Sequence, residues 1–280
     1  MLIHQFDHVY GYVKNNDLNR ALARMHLAGF TVSPKMVKHD AGHLNRFVQM
    51  GSTYLEFQSV VDEGAFSLNA TENDRLYRAF LRPYGIGAIT SSTQRIYDSL
   101  KGHFSHLSSP FSKSEGNPPT TPPRWKLIDL PNGAFPGAHT FALEYLMKRE
   151  EATIGPNQIT MLGGFYFCSD HPNERMNTWT RTMNLLGLPI HCDATSITLG
   201  HQIFYFITPN EYQGKFGELW KTTPNENGEI AAVILNCANV EFSAEAMKNA
   251  GFGMTNQDST VNFKMDKITG FTFALRKQDS

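Results

Sequence analysis

A glycine that ends an amphipathic helix occurs four times in this chain, each time with apolar, strand-like segments on both sides. The four glycines are Gly29, Gly102, Gly187 and Gly251, which lie 73, 85 and 64 residues apart. Glycine is favoured just beyond a helix end because it adopts the left-handed backbone conformation without steric cost. Repetition of one supersecondary unit at this interval constrains the fold more than any single motif does. The chain is therefore predicted to contain four units with the element order βαβββ.

The same elements can be followed through each unit. The helix of the first unit carries apolar residues at helical spacing, from Leu18 to Met25. The strands that open the units are expected near residues 6–13, 86–90, 163–168 and 231–237. The last strands of the units are expected near 54–60, 139–146, 202–208 and 270–276. Asp17 and Ser243 are candidate N-caps, and an extra helix is expected over about 72–81.

A charged segment at 148–156, which ends in Gly155-Pro156, separates the units into two pairs. Two such units side by side bury their sheet edges and form a half-open cup. The expected fold class is α+β with two half-barrel cups, the first in residues 1–150 and the second in a degenerate pair of units at 156–280. A Ser/Pro-rich stretch from 108 to 123 has the composition of a long surface loop.

Composition excludes several classes of function. The chain has 25 basic and 26 acidic residues, and no basic stripe predicts binding to nucleic acid or to an anionic membrane. Its three cysteines are scattered, which favours free thiols over a disulfide framework. The N-terminus lacks the pattern of a secretory signal, and no apolar run approaches the ~18 residues of a membrane span. A cytoplasmic protein is therefore expected.

Two glutamates stand out within apolar strands. Glu56 lies between Leu55 and Phe57 near the end of the first unit, and Glu144 lies between Leu143 and Tyr145 near the end of the second. Carboxylates are seldom buried without a partner. The repeat assigns the two glutamates to equivalent positions, whereas the third and fourth units place Tyr205 and a residue near Ala274 there. A carboxylate site is therefore expected in the first half only.

Several short motifs occur in a familiar order. They are Phe6-Asp7-His8-Val9, Gly29-Phe30, His39 followed by Gly42-His43-Leu44-Asn45-Arg46, Tyr54-Leu55-Glu56, and Phe141-Ala142-Leu143-Glu144-Tyr145. Together they resemble the βαβββ module of the vicinal oxygen chelate superfamily, which includes glyoxalases and extradiol dioxygenases. The resemblance covers residues 5–147, which are similar to a glyoxalase-like domain. The remaining residues share only the pattern of the module.

The resemblance implies a divalent metal ion in the cup of the first half. By position, the implied ligands are His8, Glu56 and Glu144. The fourth family position falls near Ile86, where this chain has no histidine. One imidazole and two carboxylates suit Zn²⁺, Mn²⁺, Fe²⁺ or Ni²⁺. Alternatively, Glu56 or Glu144 would act as a general base with a pKa raised by burial.

The implied reaction is lyase, isomerase or dioxygenase chemistry on a small oxygen-bearing molecule. His43, Asn45 and Arg124 are the residues expected near the substrate. A second hypothesis is a metal-free protein that binds a small molecule without converting it, through an aromatic cup that includes Tyr10 and Phe141. A third is a scaffold in which the glutamates only form salt bridges. A homodimer is compatible with all three hypotheses.

Overall fold

The computed structural model describes residues 2–14, 17–70, 72–80, 82–113, 123–147, 154–221, 229–257 and 260–278. The elements of the first half are β1 (Ile3–Tyr12), α1 (Leu18–Leu27), β2 (Thr31–Lys38), β3 (His43–Met50), β4 (Thr53–Val60), α2 (Glu63–Asn69), α3 (Glu72–Phe80), β5 (Pro83–Thr90), α4 (Thr93–Leu100), β6 (Phe111–Lys113), β7 (Trp125–Leu130) and β8 (His139–Tyr145). Those of the second half are β9 (Ile159–Cys168), α5 (Pro172–Leu185), β10 (Ile190–Cys192), β11 (Ser196–Leu199), β12 (Gln202–Ile207), α6 (Pro209–Phe216), β13 (Ile230–Cys237), α7 (Val240–Asn249), β14 (Met254–Gln257), β15 (Thr260–Phe263) and β16 (Phe273–Lys277).

The strands form two eight-stranded mixed sheets with matching topology. The first has the order β2-β3-β4-β1-β5-β8-β7-β6, and the second β10-β11-β12-β9-β13-β16-β15-β14. In the first sheet, the opening strand of each unit runs parallel to its closing strand, and the two opening strands pair antiparallel. The second sheet repeats this arrangement. The predicted α+β fold of four βαβββ units in two half-barrel cups is confirmed.

Most of the predicted helix ends are correct, with two local differences. Gly29, Gly187 and Gly251 have φ angles of 78°, 64° and 88°, as expected for left-handed residues after a helix. Gly102 is not among the glycines with positive φ, and Lys101 is the C-cap of α4. Ser243 lies inside α7, whose N-cap is Asn239, because the Asn239 side chain accepts a hydrogen bond from the Phe242 N–H.

Other expectations fall partly outside the described residues. The extra helix expected over 72–81 is α3. Residues 114–122 of the Ser/Pro-rich stretch and residues 148–153 of the charged linker lie outside the described part of the chain. Among the described helices, none has both the length and the apolar character needed to cross a membrane.

One continuous core joins the two halves. Phe6 of β1 is fully buried, and its ring centroid lies 5.9 Å from that of Trp179 and 5.2 Å from that of Phe204 in the second half. Its backbone N–H donates to Gln202 Oε1 at 2.8 Å, and its carbonyl accepts from Gln202 Nε2 at 2.7 Å. Thr53 Oγ1 accepts from the Leu162 N–H at 2.7 Å. These contacts hold the core-facing side of β1 against the second sheet. The other side of β1 faces the first cup.

Replacing Phe6 with alanine should lower the free energy of unfolding by about 3–5 kcal/mol, because the substitution leaves a cavity between the halves. Both halves should lose stability in a single transition, which urea denaturation followed by tryptophan fluorescence would measure. The control is Leu68→Ala, because Leu68 is 84% exposed and its truncation should change stability by less than about 0.5 kcal/mol. Similar losses for the two variants would contradict the role of Phe6.

Candidate functional site

The candidate site lies on the face of the first sheet that the core does not use. In this sheet His8 pairs with Tyr54 of β4 and with Gly87 of β5. Tyr10 pairs with Glu56 of β4 and with Gly85 of β5. Since paired residues of neighbouring strands point to the same face, these side chains share one surface with His139 and Phe141 of β8. We call this surface the first cup.

His8 is held by contacts on several sides. Its Nδ1 lies 2.7 Å from Asp7 Oδ1, and both residues are almost fully buried. Its ring stacks on Tyr54 with 4.5 Å between centroids, and the Phe141 ring lies 5.2 Å away. A carboxylate beside one ring nitrogen fixes the tautomer and orientation of an imidazole. His8 therefore occupies one defined position in the first cup.

The contact between Asp7 and His8 depends on an irregularity in β1. Adjacent residues of a regular strand point to opposite faces, yet these neighbouring side chains meet. The pairing of β1 with β5 shifts register between Phe6 and His8, as a β-bulge does. Sequence reasoning missed Asp7 as a site residue because a bulge leaves no period in the sequence.

Two glycines of β5 make room for the rings of β1. A Cβ atom added at Gly87 would overlap the His8 imidazole, and one added at Gly85 would overlap the Tyr10 phenol. Ile86 between them is fully buried in the hydrophobic core. In this chain, β5 thus supplies space to the first cup, whereas the family resemblance places a metal ligand on this strand.

Glu56 lies within a network of hydrogen bonds. It is only 8% exposed, and its Oε1 accepts hydrogen bonds from the side-chain amides of Asn45 and Gln58. Gln58 Oε1 in turn accepts from the Tyr84 hydroxyl at 2.6 Å. Burial raises the pKa of Tyr84 well above its ordinary value, so this hydroxyl stays protonated. Asn45, which the sequence analysis expected near the substrate, thus lies beside Glu56.

Tyr10 and His139 link the two units of the first half. The Tyr10 hydroxyl hydrogen-bonds to His139 Nδ1, although the residues are 129 positions apart. Burial lowers the pKa of His139 below its ordinary value of 6.5, which favours the neutral imidazole at pH 7. The sequence offered no motif for His139. The signal that could have found it is its alternation with Phe141 along β8.

The structure contradicts the prediction for Glu144. Phe141 faces the first cup, so Ala142 and Glu144 cannot share its face at their spacing along β8. Glu144 Oε2 accepts hydrogen bonds from the backbone N–H and the hydroxyl of Thr93, each at 2.9 Å. Thr93 is the first residue of α4, where a carboxylate stabilises a helix N-terminus. Glu144 is therefore neither a ligand nor a base in the first cup.

His43 and Arg124 are the two other residues predicted near the substrate, and only His43 lies at the first cup. His43 stacks on His39 with 4.2 Å between centroids and lies 6.2 Å from the Tyr12 ring, at one end of the first cup. The Arg124 carbonyl accepts from the Leu146 N–H at 2.9 Å, which continues the pairing of β7 with β8. Alternation from Trp125 therefore directs the Arg124 side chain to the opposite face of the sheet. Arg124 therefore does not face the first cup, where the sequence analysis expected it.

These positions decide whether the predicted metal ligands fit. His8 and Glu56 share the first cup, but Glu144 lies on the other face of the sheet. Within the described part of the chain, no three or more His, Cys, Asp or Glu side chains cluster in a way that could hold a metal ion. The predicted set of three donors therefore does not fit a bound divalent ion.

The second sheet has aromatic residues where the first has polar ones. Tyr166 pairs with Tyr205 as Tyr10 pairs with Glu56, and the two tyrosine rings stack at 4.7 Å. Helix α6 packs Tyr212 and Phe216 onto this face. Burial raises the pKa of Tyr166, so it too remains protonated. The polar constellation of the first cup thus has no counterpart at these positions of the second sheet.

Comparison with known proteins agrees with the topology and the motifs. A family model described as a glyoxalase-like domain matches residues 6–183, which is more than half of the chain. The chain belongs to the glyoxalase-like domain family. This glyoxalase-like protein is accordingly a member of the vicinal oxygen chelate superfamily. The match runs past β8 into β9 and α5, so it crosses the expected boundary near residue 150. No curated protein matches the sequence.

Solved structures share the fold of this glyoxalase-like protein at low identity. A hypothetical protein from Staphylococcus aureus is 12% identical with a TM-score of 0.61, over 97% of this chain and 98% of the other. A mutant 4-hydroxymandelate synthase from Streptomyces coelicolor is 8% identical with a TM-score of 0.62, over 100% and 94%. A catechol 2,3-dioxygenase is 12% identical with a TM-score of 0.57, over 100% and 89%. These similarities establish the fold alone.

Substitution of Gly87 by alanine should displace the His8 ring and lower the free energy of unfolding by about 1–3 kcal/mol, because the new methyl group overpacks the site. NMR of the histidine side chains would follow the displacement, and urea denaturation would follow stability. The matched control is Gly102→Ala, since a Cβ atom at Gly102 has no neighbour within 4 Å. An unchanged His8 resonance in Gly87→Ala would contradict the close contact.

Proposed function

We propose that this glyoxalase-like protein binds a small oxygen-bearing molecule in the first cup, without the metal ion that the predicted ligands would have held. The observation that carries the proposal is the difference between the two cups. His8, Tyr10, Glu56 and His139 share one face of the first sheet, whereas Tyr166 and Tyr205 stack under α6 in the second. Ligand sites usually combine apolar walls with a few oriented polar groups, and the first cup has this composition.

The first cup offers both kinds of group to a ligand. Tyr54 and Phe141 are partly exposed rings that can contact the apolar part of a molecule. His8, held by Asp7, and Glu56, held by Asn45 and Gln58, are polar groups with fixed orientation. A site that is already ordered loses less conformational entropy when the ligand binds. These contacts support binding of a molecule with hydroxyl or carbonyl oxygens.

A second candidate function is proton-transfer chemistry of the lyase or isomerase type. The specific observation in its favour is the pair formed by the Tyr10 hydroxyl and His139 Nδ1. A neutral imidazole can take up the phenol proton, and the resulting phenolate can act as a general base that removes a proton from the substrate. In such a reaction Asp7 would orient His8, and Glu56 would be the carboxylate nearest to this pair in register.

The binding site can be located without knowledge of the natural ligand. A set of small hydroxyl- and carbonyl-bearing fragments should perturb NMR signals of Tyr54, Phe141 and His139. Signals of Tyr205 and Ile203 at the equivalent positions of the second sheet should stay unchanged, and they serve as the internal control. Tyr10→Phe should weaken fragment binding because it removes the hydroxyl from the Tyr10–His139 pair. Shifts confined to the second half would exclude the first cup as the functional site.

Metal analysis tests the absence of the predicted ion. Protein purified without chelator should contain much less than one equivalent of Zn, Mn, Fe or Ni, because His8 and Glu56 lack the third predicted donor. His8→Ala and Glu144→Gln should leave the metal content unchanged. One equivalent of metal that is lost in His8→Ala would restore the metal-dependent hypothesis and end the metal-free proposal.

A further inference from the structure

Two acidic side chains on different strands of the first sheet face the first cup. Glu56 of β4 faces the first cup, and Asp129 of β7 pairs with Phe141 of β8, so it faces the first cup as well. Asp129 is exposed, which places its carboxylate at the rim. The sheet therefore presents carboxylates from two strands to the same side as the aromatic rings.

Arg46 of β3 and Lys126 of β7 point to the opposite face of the sheet. Arg46 pairs with Phe57, which belongs to the core, and its guanidinium donates to the Ser33 carbonyl at 3.3 Å. Lys126 pairs with Glu144, the carboxylate that lies against α4. Because side chains alternate along a strand, Arg124 points to the same face of the sheet as Lys126, away from the first cup. Arg124, which the sequence analysis expected near the substrate, thus does not add a positive charge to the first cup.

Helix α3 brings both a carboxylate and a guanidinium near the tyrosines of the first cup. Asp74 of α3 raises the pKa of Tyr12, although burial is the larger cause. Asp74 and Glu56 both contribute to the raised pKa of Tyr84, again after burial. Arg78 of the same helix is ion-paired with Glu63. The carboxylates of α3 and β4 raise the pKa of these tyrosines, whereas the Arg78 guanidinium lowers that of Tyr12.

Aromatic faces line the open part of the first cup beside these carboxylates. Tyr54 and Phe141 both pack against His8, and Phe47 meets Tyr54 edge to face at 5.6 Å between centroids. Trp125 and Tyr145 pair across β7 and β8 on the same side. All five of these residues are partly exposed. Ring faces attract cations through their quadrupole, and the attraction strengthens when the cation loses its water.

We propose that the ligand of the first cup is an organic cation, an amine or quaternary ammonium compound with an apolar portion. This inference rests on the proposed function and specifies its ligand class. The aromatic rings would contact the cationic group and its substituents, while Glu56 and Asp129 supply the opposite charge. Hydroxyl or carbonyl oxygens of the same molecule would meet Tyr10 and the amides of Asn45 and Gln58.

Three probes of similar size and different charge test the ligand class. They are benzyltrimethylammonium, benzyl alcohol and benzoate, each titrated into the full-length protein by isothermal calorimetry. The cation should bind at least about 10-fold more tightly than either of the other two, which corresponds to about 1.4 kcal/mol and lies within the range of cation–π contacts. Its affinity should fall as salt is added, because the rim charge is screened.

Glu56→Gln and Glu144→Gln form a matched pair of variants. Glu56→Gln keeps an oxygen for the Asn45 and Gln58 amides but removes the charge, so cation affinity should fall about 10-fold with little change for benzyl alcohol. Glu144→Gln makes the same change on the opposite face and should leave the affinity within about 2-fold. Asp129→Asn removes an exposed carboxylate at the rim of the first cup. It should weaken the cation about 2- to 3-fold and provides the test if Glu56→Gln does not fold.

The outcomes separate this inference from the proposed function. Binding of benzoate or benzyl alcohol as tight as that of the cation, or equal losses in Glu56→Gln and Glu144→Gln, would overturn the cation proposal. If one of those two probes perturbs NMR signals of the first cup, the site itself stands. No binding of benzyltrimethylammonium at about 10 mM would also overturn the cation proposal, since affinity weaker than this carries no specificity. Failure of every fragment to perturb the first cup would end the proposed function as well.

Discussion

The rest of the structure depends on which side chains of β1 face the core and which face the first cup. Phe6 and Val9 both face the core between the halves, although their spacing of three would place them on opposite faces of a regular strand. The register shift between Phe6 and His8 restores the match. It directs the side chains of His8 and Tyr10 into the first cup. It also brings the Asp7 carboxylate next to the His8 imidazole. A single irregularity therefore sets the contact between the halves and the polar centre of the site.

The two cups place different side chains on one and the same backbone arrangement. Backbone pairing is the same in both, with β1–β4 matching β9–β12. The side chains differ: Tyr10 and Glu56 in the first correspond to Tyr166 and Tyr205 in the second. Stacked tyrosines covered by Tyr212 and Phe216 of α6 bury apolar surface, which stabilises the half but leaves few polar groups to orient a ligand. The first half retains those groups within hydrogen-bonded networks, where their cost of burial is offset.

The first cup also differs from the metal-binding arrangement that the family resemblance implied. Gly85 and Gly87 leave space for the rings of Tyr10 and His8 on β5, the strand where a metal ligand was expected. Glu144 accepts hydrogen bonds from the first residue of α4. What remains is a set of carboxylates, imidazoles and ring faces on one side of the sheet. Membership of the glyoxalase-like domain family establishes the architecture, whereas chemistry depends on the side chains grafted onto it.

The sequence alone determined the four units and the ends of most helices, because these depend on local periodicity. Only the tertiary structure decided which face each strand presents. A shift of one residue reverses every side chain of a strand, and neither the bulge at Asp7 nor the register of β8 leaves a local pattern. For the same reason Glu144 and Arg124 were assigned to the wrong face, and the contact of Tyr10 with His139 was not foreseen. These positions follow from pairings between strands distant in sequence, whose register is set by packing across the whole sheet.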